Sequence, residues 1–110
     1  IRSAAGRHAR MQLDVLSASG EDVSLKDFFE KAVAVYYKFL EDRFNILPSE
    51  LDASLISMRM AGAGIAESLA ERALNFYNQC LVVRYGGTPG GFTKSEMISE
   101  CNKIISLLEG

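Results

Sequence analysis

A glycine-rich turn followed by lysine and serine has the spacing closest to a nucleotide-binding site. The segment CLVVRYGGTPGGFTKS contains Gly86 and Gly91, and it ends on Lys94 and Ser95. A phosphate-binding loop requires a lysine directly after its second glycine, because that amine must reach the β- and γ-phosphates. Phe92 occupies that position here. We therefore expect this segment to connect two helices rather than to bind a nucleotide.

The other candidates for chemistry are two cysteines and one histidine. Cys80 lies on an apolar helical stripe and Cys101 lies in the middle of a second stripe, which is typical of buried thiols. Arg84 follows Cys80 by one turn and could lower the pKa of its thiol, but no base accompanies it. A zinc site made of His8, Cys80 and Cys101 would lack the paired spacing of zinc ligands. We predict no catalytic residue, no bound metal and no cofactor.

Composition favours one soluble globular domain over residues 1–110. The chain is 48% hydrophobic and 24% charged, and its formal net charge is −2. That balance is typical of a folded domain and gives no overall attraction to nucleic acid or anionic lipid. No apolar run approaches the ~20 residues that a membrane span needs. Because the chain begins with isoleucine rather than methionine, we expect it to be a piece of a longer protein.

The elements that would position these residues are helices. Ser24, with Asp27 three residues later, forms a predicted capping box at the start of the longest one. Pro48 forbids continuation, so this helix is predicted to end near Asn45. Its apolar residues recur at the spacing of one buried face: Leu25, Phe28, Phe29, Ala32, Val33, Tyr36, Phe39, Leu40 and Phe44.

Two shorter helices and a final one follow. Asp52 is a predicted N-cap, and the glycines of AGAG supply a left-handed position that ends that helix. The next stripe runs through residues 65–84, and Thr93 with Glu96 forms a capping box before the last helix. The prediction is an all-α fold, a single compact bundle of about five short amphipathic helices.

The N-terminal segment is the most basic part of the chain. Ala5, Ala9, Leu13 and Leu16 can share one helical face, while the positive residues are Arg2, Arg7, His8 and Arg10. Basic residues that directly follow a membrane helix are typical of its cytoplasmic side. We therefore divide the domain into a basic helix over 1–20, which could be juxtamembrane, and a core bundle over 24–110.

A helix-turn-helix over residues 52–85 is an alternative for function. A recognition helix normally presents basic and amide groups near its N-terminus. The second helix here begins instead with Glu67 and Glu71, and its first cation is Arg72. Nucleic-acid binding or transcriptional regulation is therefore kept only as the alternative.

Three segments, in chain order, resemble the cytoplasmic C-terminal tail of the bacterial BatD, or oxygen-tolerance, family. DFFEKAVAVYYKFLEDRFNI, at 27–46, is similar to that family's F-Y-x-x-[IL]-x-x-A-L-x-x-Y-L-x-x-[KR]-[LF] helix. LDASLISMRMAGAGI, at 51–65, is similar to a segment that runs from a threonine or aspartate cap to Gly-Val. NQCLVVRYG, at 78–86, is similar to the family's C-x-x-x-R-Y ending.

The resemblance implies an exported β-rich ectodomain, one membrane helix upstream of this chain, and this tail on the cytoplasmic face of the bacterial inner membrane. It implies a MoxR-type AAA+ ATPase and von Willebrand factor A domain membrane proteins as partners, and no assigned catalytic residues. From it we expect a non-enzymatic interaction or signalling tail. The matching positions are expected to be structural: Phe28, Tyr36, Leu40, Asp52, Ile56, Gly64, Cys80, Arg84 and Tyr85.

Arg84 receives a specific structural prediction. It falls in phase with Cys80 and Tyr77, so its stem should lie along the edge of the core while the guanidinium reaches outward. Its predicted acidic partner is Glu41 or Asp42, at the end of the longest helix.

Overall fold

The computed structural model describes residues 4–18, 24–87 and 92–109, and the regular structure within these ranges is helical throughout. The elements in chain order are α1 (Ala4–Ala18), α2 (Leu25–Phe44), a single 3-10 turn (Pro48–Glu50), α3 (Ala53–Gly62), α4 (Glu67–Arg84) and α5 (Lys94–Leu108). The prediction of an all-α bundle of five helices is confirmed.

Local capping interactions set the ends of the helices. Ser24 caps α2 by accepting a hydrogen bond from the Asp27 amide at 3.2 Å, and Asn45 ends that helix in the left-handed conformation with φ 55°. Asp52 caps α3 in the same way, and Gly64, with φ 78°, reverses the chain after it. Asparagine and glycine are the residues that adopt positive φ at least cost.

The capping box at the start of α5 is complete. The hydroxyl of Thr93 accepts from the amide of Glu96 at 3.1 Å, while the Glu96 carboxylate accepts from the amide of Thr93 at 3.0 Å. Two amides that the helix itself cannot satisfy are thereby paired. This confirms the predicted capping box and places Lys94 at the first position of α5.

The core is built around α2, which contacts each of the other four helices in the described structure. The predicted stripe is buried, except that Leu25 at its start is half exposed. Tyr37, which lies beside the stripe, is also buried and packs against α4. The largest fully buried side chains are Tyr36, Phe28, Phe29 and Phe39.

The buried stripe of α4 ends differently from its prediction. The sequence pattern continues the stripe to Arg84, but the structure buries Val83 and leaves Arg84 exposed. Both residues lie about one turn beyond Cys80, so either could continue its face. Burial of the valine side chain is favourable, whereas burial of a guanidinium costs free energy because it loses its hydration. The helix is therefore rotated to bury Val83 rather than Arg84.

Helix α1 packs against both α2 and α5. Ala9, Leu13 and Leu16 are buried as predicted, while Ala5 is half-buried. Asp42, near the end of α2, lies beside residues at the start of α1, so the two helices run antiparallel.

An ion pair fixes α1 to the end of the chain. The Arg10 guanidinium contacts the Glu109 carboxylate at 2.6 Å, and only 1% of the Glu109 side chain is exposed. Gly6, one turn before Arg10, leaves the space that this carboxylate fills, because a Cβ at residue 6 would overlap it. The pair therefore depends on a glycine inside a helix.

The glycine-rich connector begins with a left-handed residue. Gly86 has φ 91°, and Gly87 packs so closely that an added Cβ would lie 2.7 Å from the Val82 side chain. We therefore expect an alanine at residue 87 to destabilise the fold more than an alanine in a solvent-exposed connector would. Gly90, in the same connector, lies outside the described residues.

Candidate interaction surfaces

The structure places most residues of the family resemblance in the framework. Five of them are fully or almost fully buried: Phe28, Tyr36, Leu40, Ile56 and Cys80. Asp52 caps α3 and Gly64 makes the turn before α4. Arg84 and Tyr85 are the exposed pair, and Tyr85 is 86% exposed.

Four aromatic residues, Tyr36, Tyr37, Phe76 and Tyr77, form the contact between α2 and α4, which we call the aromatic seam. Tyr36 meets Phe76 edge to face at 4.8 Å between centroids, and Tyr37 stacks on Tyr77 at 4.8 Å. The Tyr36 hydroxyl donates to the Ala73 carbonyl at 2.8 Å. The phenols are thus packed and paired, and burial raises the pKa of Tyr36 well above its ordinary value.

Arg84 covers the seam from outside. Its guanidinium carbon lies 5.2 Å from the centroid of the Tyr37 ring, a distance typical of a cation–π contact. Within the described residues it forms no ion pair with either predicted partner. Asp42 pairs instead with Lys38 at 3.0 Å, one helical turn away, because that partner is already within reach on the same helix.

The cysteines are placed unfavourably for chemistry. Both are free and fully buried, and burial raises the pKa of the Cys80 thiol to about 12. Burial likewise raises the pKa of Cys101. A thiolate is the reactive form of cysteine, so burial suppresses reactivity at both positions. The sequence left open a lowering of the Cys80 pKa by Arg84, but in the structure burial raises that pKa.

No metal cluster is found in the part of the chain that the structure describes. Groups of three or more histidine, cysteine, aspartate and glutamate side chains with suitable proximity are absent there. His8 is exposed on α1, whereas Cys80 and Cys101 lie inside the bundle. In these same ranges no helix combines the length and the apolar character needed to cross a membrane.

Helices α3 and α4 have the order and contact of a helix-turn-helix, but the second helix presents acid. Glu67 and Glu71 are exposed near its start. The first cation, Arg72, donates two hydrogen bonds to Glu100 of α5, at 3.0 and 2.7 Å. Arg72 is therefore paired within the fold. The exposed residues that α4 would present to a phosphate backbone are acidic.

An apolar groove between α1 and α2 is the feature that sequence reasoning missed. Leu16 and Val35 form its buried floor, while Met11 and Val15 project from α1 with 62% and 70% of their surface exposed. The groove encloses about 610 Å³. Two exposed apolar residues spaced by one turn beside a pocket are unlike the scattered apolar residues of an ordinary surface.

The ionisable groups that border this groove are basic. Lys31 and Lys38 border it from α2 and His8 from α1, and none of the described residues lining it is acidic. A second depression of about 450 Å³ adjoins it and is lined by Arg7, His8 and Met11, together with Asp42. The groove therefore joins an apolar floor to a positive rim.

The spacing of Met11 and Val15 could have revealed this groove. They lie four residues apart on the side of α1 away from the predicted stripe of Ala9, Leu13 and Leu16. A second apolar line on an otherwise amphipathic helix indicates a second contact surface. The prediction for this segment rested on its basic residues and left that line out.

The sequence matches no family model, and comparison with curated proteins and with solved structures gives no significant match.

Proposed function

We propose that this domain is a non-enzymatic interaction or signalling tail of a single-span bacterial envelope protein that resembles BatD. In this proposal it lies at the cytoplasmic face of the inner membrane and couples to a MoxR-type AAA+ ATPase and to von Willebrand factor A domain membrane proteins. The observation that carries the proposal is the ordered set of three similar segments, at residues 27–46, 51–65 and 78–86.

The positions of these segments in the fold support the proposal. They occupy α2, the stretch from just after the 3-10 turn through α3, and the end of α4, and their matching apolar residues meet in one core. A resemblance confined to scattered surface residues would not be constrained in this way. The exposed pair, Arg84 and Tyr85, closes the third segment at the rim of the aromatic seam.

The side-chain chemistry supports a binding role over an enzymatic one. The two thiols are buried with raised pKa values, and the described phenols of the seam donate to backbone carbonyls. As buried thiols and hydrogen-bonded phenols, these groups stabilise the fold. The groove between α1 and α2, with exposed apolar side chains and a basic rim, is instead a surface of the kind that binds protein.

The direct test is reconstitution with the proposed partners. The tagged domain is immobilised and presented with a purified MoxR-type AAA+ ATPase and, separately, with a von Willebrand factor A domain protein, each from the same bacterium. We expect saturable capture of at least one of them at physiological salt. Capture of neither, by a domain whose circular dichroism shows it folded, would contradict the proposed coupling.

The alternative function has its own measurement. Duplex DNA is titrated into the domain at several salt concentrations. A nucleic-acid-binding domain would bind with an affinity that falls steeply with salt, because each neutralised phosphate releases counterions. We expect no binding under conditions in which the protein partner is captured. Tight and salt-dependent binding would favour the alternative.

A further inference from the structure

We propose that the groove between α1 and α2 binds an amphipathic helix whose apolar face is bordered by carboxylates. The inference deepens the proposed function and rests on it in one respect, namely that the domain acts by binding protein. It adds which face is used and what chemistry the partner segment must have.

The shape of the groove sets the kind of segment. From His8 to Val15 along α1, and from Lys31 to Lys38 along α2, the lining spans about 10 Å, or two turns of helix. An amphipathic helix that offers apolar residues at i, i+3 or i+4 and i+7 covers this length. The floor of Leu16 and Val35 would receive its central side chain.

The walls of the groove suit such a ligand. Met11 and Val15 are exposed in the free domain and would lose that exposure against a helix. Methionine has three rotatable bonds and a polarisable sulfur, so it adapts to an apolar partner. Removal of both side chains from water supplies a driving force that increases with the apolar area buried.

The charge of the rim sets the chemistry of the partner. Lys31 and Lys38 border the floor on α2, His8 borders it on α1, and Arg7 lies in the adjoining depression. Lys38 shares its charge with Asp42, whereas Lys31 forms no ion pair among the described residues. Carboxylates on the edges of the bound helix would therefore be attracted and lysines repelled.

An anionic membrane surface fits these observations less well. The apolar residues line a concave groove rather than a convex face, and recognition of anionic lipid normally uses clusters of four to eight basic residues. The chain also has a formal net charge of −2. A partner helix is therefore the occupant that the groove favours.

The test uses a synthetic, fluorescein-labelled peptide of about 15 residues, with leucines on one helical face and glutamates along its borders. A second peptide replaces each glutamate with lysine and is otherwise identical. Fluorescence anisotropy measures the affinity of the whole domain for each. We expect the acidic peptide to bind about tenfold tighter than the basic one. Equal affinities, or no binding of the acidic peptide, would overturn the proposal.

Matched variants locate the binding site. Met11→Glu is expected to weaken binding of the acidic peptide about tenfold, whereas Met58→Glu, on α3, changes a similarly exposed methionine (69%) and should leave the affinity within about twofold. Lys31→Glu should reduce the preference for the acidic peptide, and Lys103→Glu on α5 should not. Equal effects within either pair would contradict a site between α1 and α2.

Two other occupants are tested in parallel. Flotation with phosphatidylcholine vesicles, with and without phosphatidylglycerol, detects membrane binding, and sedimentation detects self-association. Anionic-vesicle binding or dimerisation that is lost in Met11→Glu, with no peptide binding, would assign the groove to lipid or to a second copy and overturn the proposal.

Capture of the AAA+ ATPase separates this inference from the proposed function. If the domain binds the acidic peptide through the groove but captures neither partner, the groove inference is supported and the proposed partners are contradicted. If Met11→Glu and Lys31→Glu capture the ATPase as well as the unchanged domain does, the proposed partner is supported and the groove is contradicted as its binding site.

Discussion

The two sides of α2 differ in how completely they are covered. Towards α4, the aromatic seam fills the contact, and the hydroxyls of Tyr36 and Tyr37 donate to carbonyls of the facing helix. Towards α1, the same helix leaves a groove in which Met11 and Val15 remain mostly in water. One helix thus forms a closed contact on one side and an open one on the other.

This difference separates stability from binding. Buried aromatic contacts stabilise a fold but offer nothing to a partner, whereas exposed apolar residues beside a groove cost stability in isolation and gain it on association. Most of the residues that resemble the BatD family lie on the closed side or beneath it. On the open side, the part of the groove formed by α1 lies outside the three similar segments.

The largest effect should come from the aromatic seam. Tyr36→Ala removes a fully buried ring and its hydrogen bond to Ala73, so we expect the free energy of unfolding to fall by about 3–5 kcal/mol. Val15→Ala, on the open side, should change it by less than about 0.5 kcal/mol. Urea denaturation followed by circular dichroism measures both. Similar losses at the two positions would remove the distinction between the two sides.

The contact of α1 with the chain end should show a smaller effect with an unusual sign. Alanine normally stabilises a helix relative to glycine by about 0.5–1 kcal/mol. At Gly6 the new Cβ displaces the Glu109 carboxylate from Arg10, so we expect Gly6→Ala to lose about 1 kcal/mol.

Gly62 is the matched control for that substitution. It lies in α3 with no atom near its missing Cβ, so Gly62→Ala should gain up to about 1 kcal/mol. Thermal unfolding of the two variants side by side decides the point. A gain of similar size at Gly6 would show that the Arg10–Glu109 pair does not depend on this glycine.

These examples show which parts of the structure local rules could predict. The caps at Ser24, Asp52 and Thr93 depend on residues within three positions, so the sequence identified each of them. The Arg10–Glu109 pair joins opposite ends of the chain, and no local pattern indicates that the two residues meet. Nonlocal packing of this kind must be observed.

The candidate site was predicted less completely than the fold. The exposed positions of Arg84 and Tyr85 follow from their place at a helix end, but the choice of Val83 as the buried residue depends on how α4 rotates against α2. The groove depends on the separation of α1 and α2. Met11 and Val15 alone could indicate an exposed line, not that a concave floor lies beside it.

A pH-dependent contribution should come from the link between α4 and α5. Hydrogen bonds from Arg72 lower the pKa of Glu100, so the pair stabilises the fold above the ordinary carboxyl pKa and loses that contribution as the pH falls through the lowered value. Both side chains are partly exposed, so Glu100→Gln should cost only about 0.5–1 kcal/mol at pH 7.

The control for that pair is Glu71→Gln, which changes an exposed carboxylate on α4. Urea denaturation at pH 7 and again at pH values below the lowered pKa measures the difference between each variant and the unchanged chain. We expect the cost of Glu100→Gln to disappear in acid and the control to show no cost at either pH. A cost that persists in acid would mean that packing, not the ion pair, is lost.

An effect of similar size is expected at Arg84. Loss of its cation–π contact with the Tyr37 ring in Arg84→Ala should cost about 0.5–1 kcal/mol and lower the melting temperature slightly. Lys103→Ala on α5 is the control and should melt unchanged. If Arg84→Ala melts like the unchanged chain but no longer captures the ATPase, Arg84 belongs to the binding surface and not to the fold.

Backbone chemical-shift mapping tests most directly whether the open side of α2 is the binding side. The ¹⁵N-labelled domain is titrated with the unlabelled acidic helix peptide. We predict that the shifted amides cluster on residues 8–16 of α1 and 31–38 of α2, and that those around Val82 and Tyr85 stay in place. Shifts that cluster at the end of α4 and leave α1 unchanged would place binding on the closed side and contradict the division between the two.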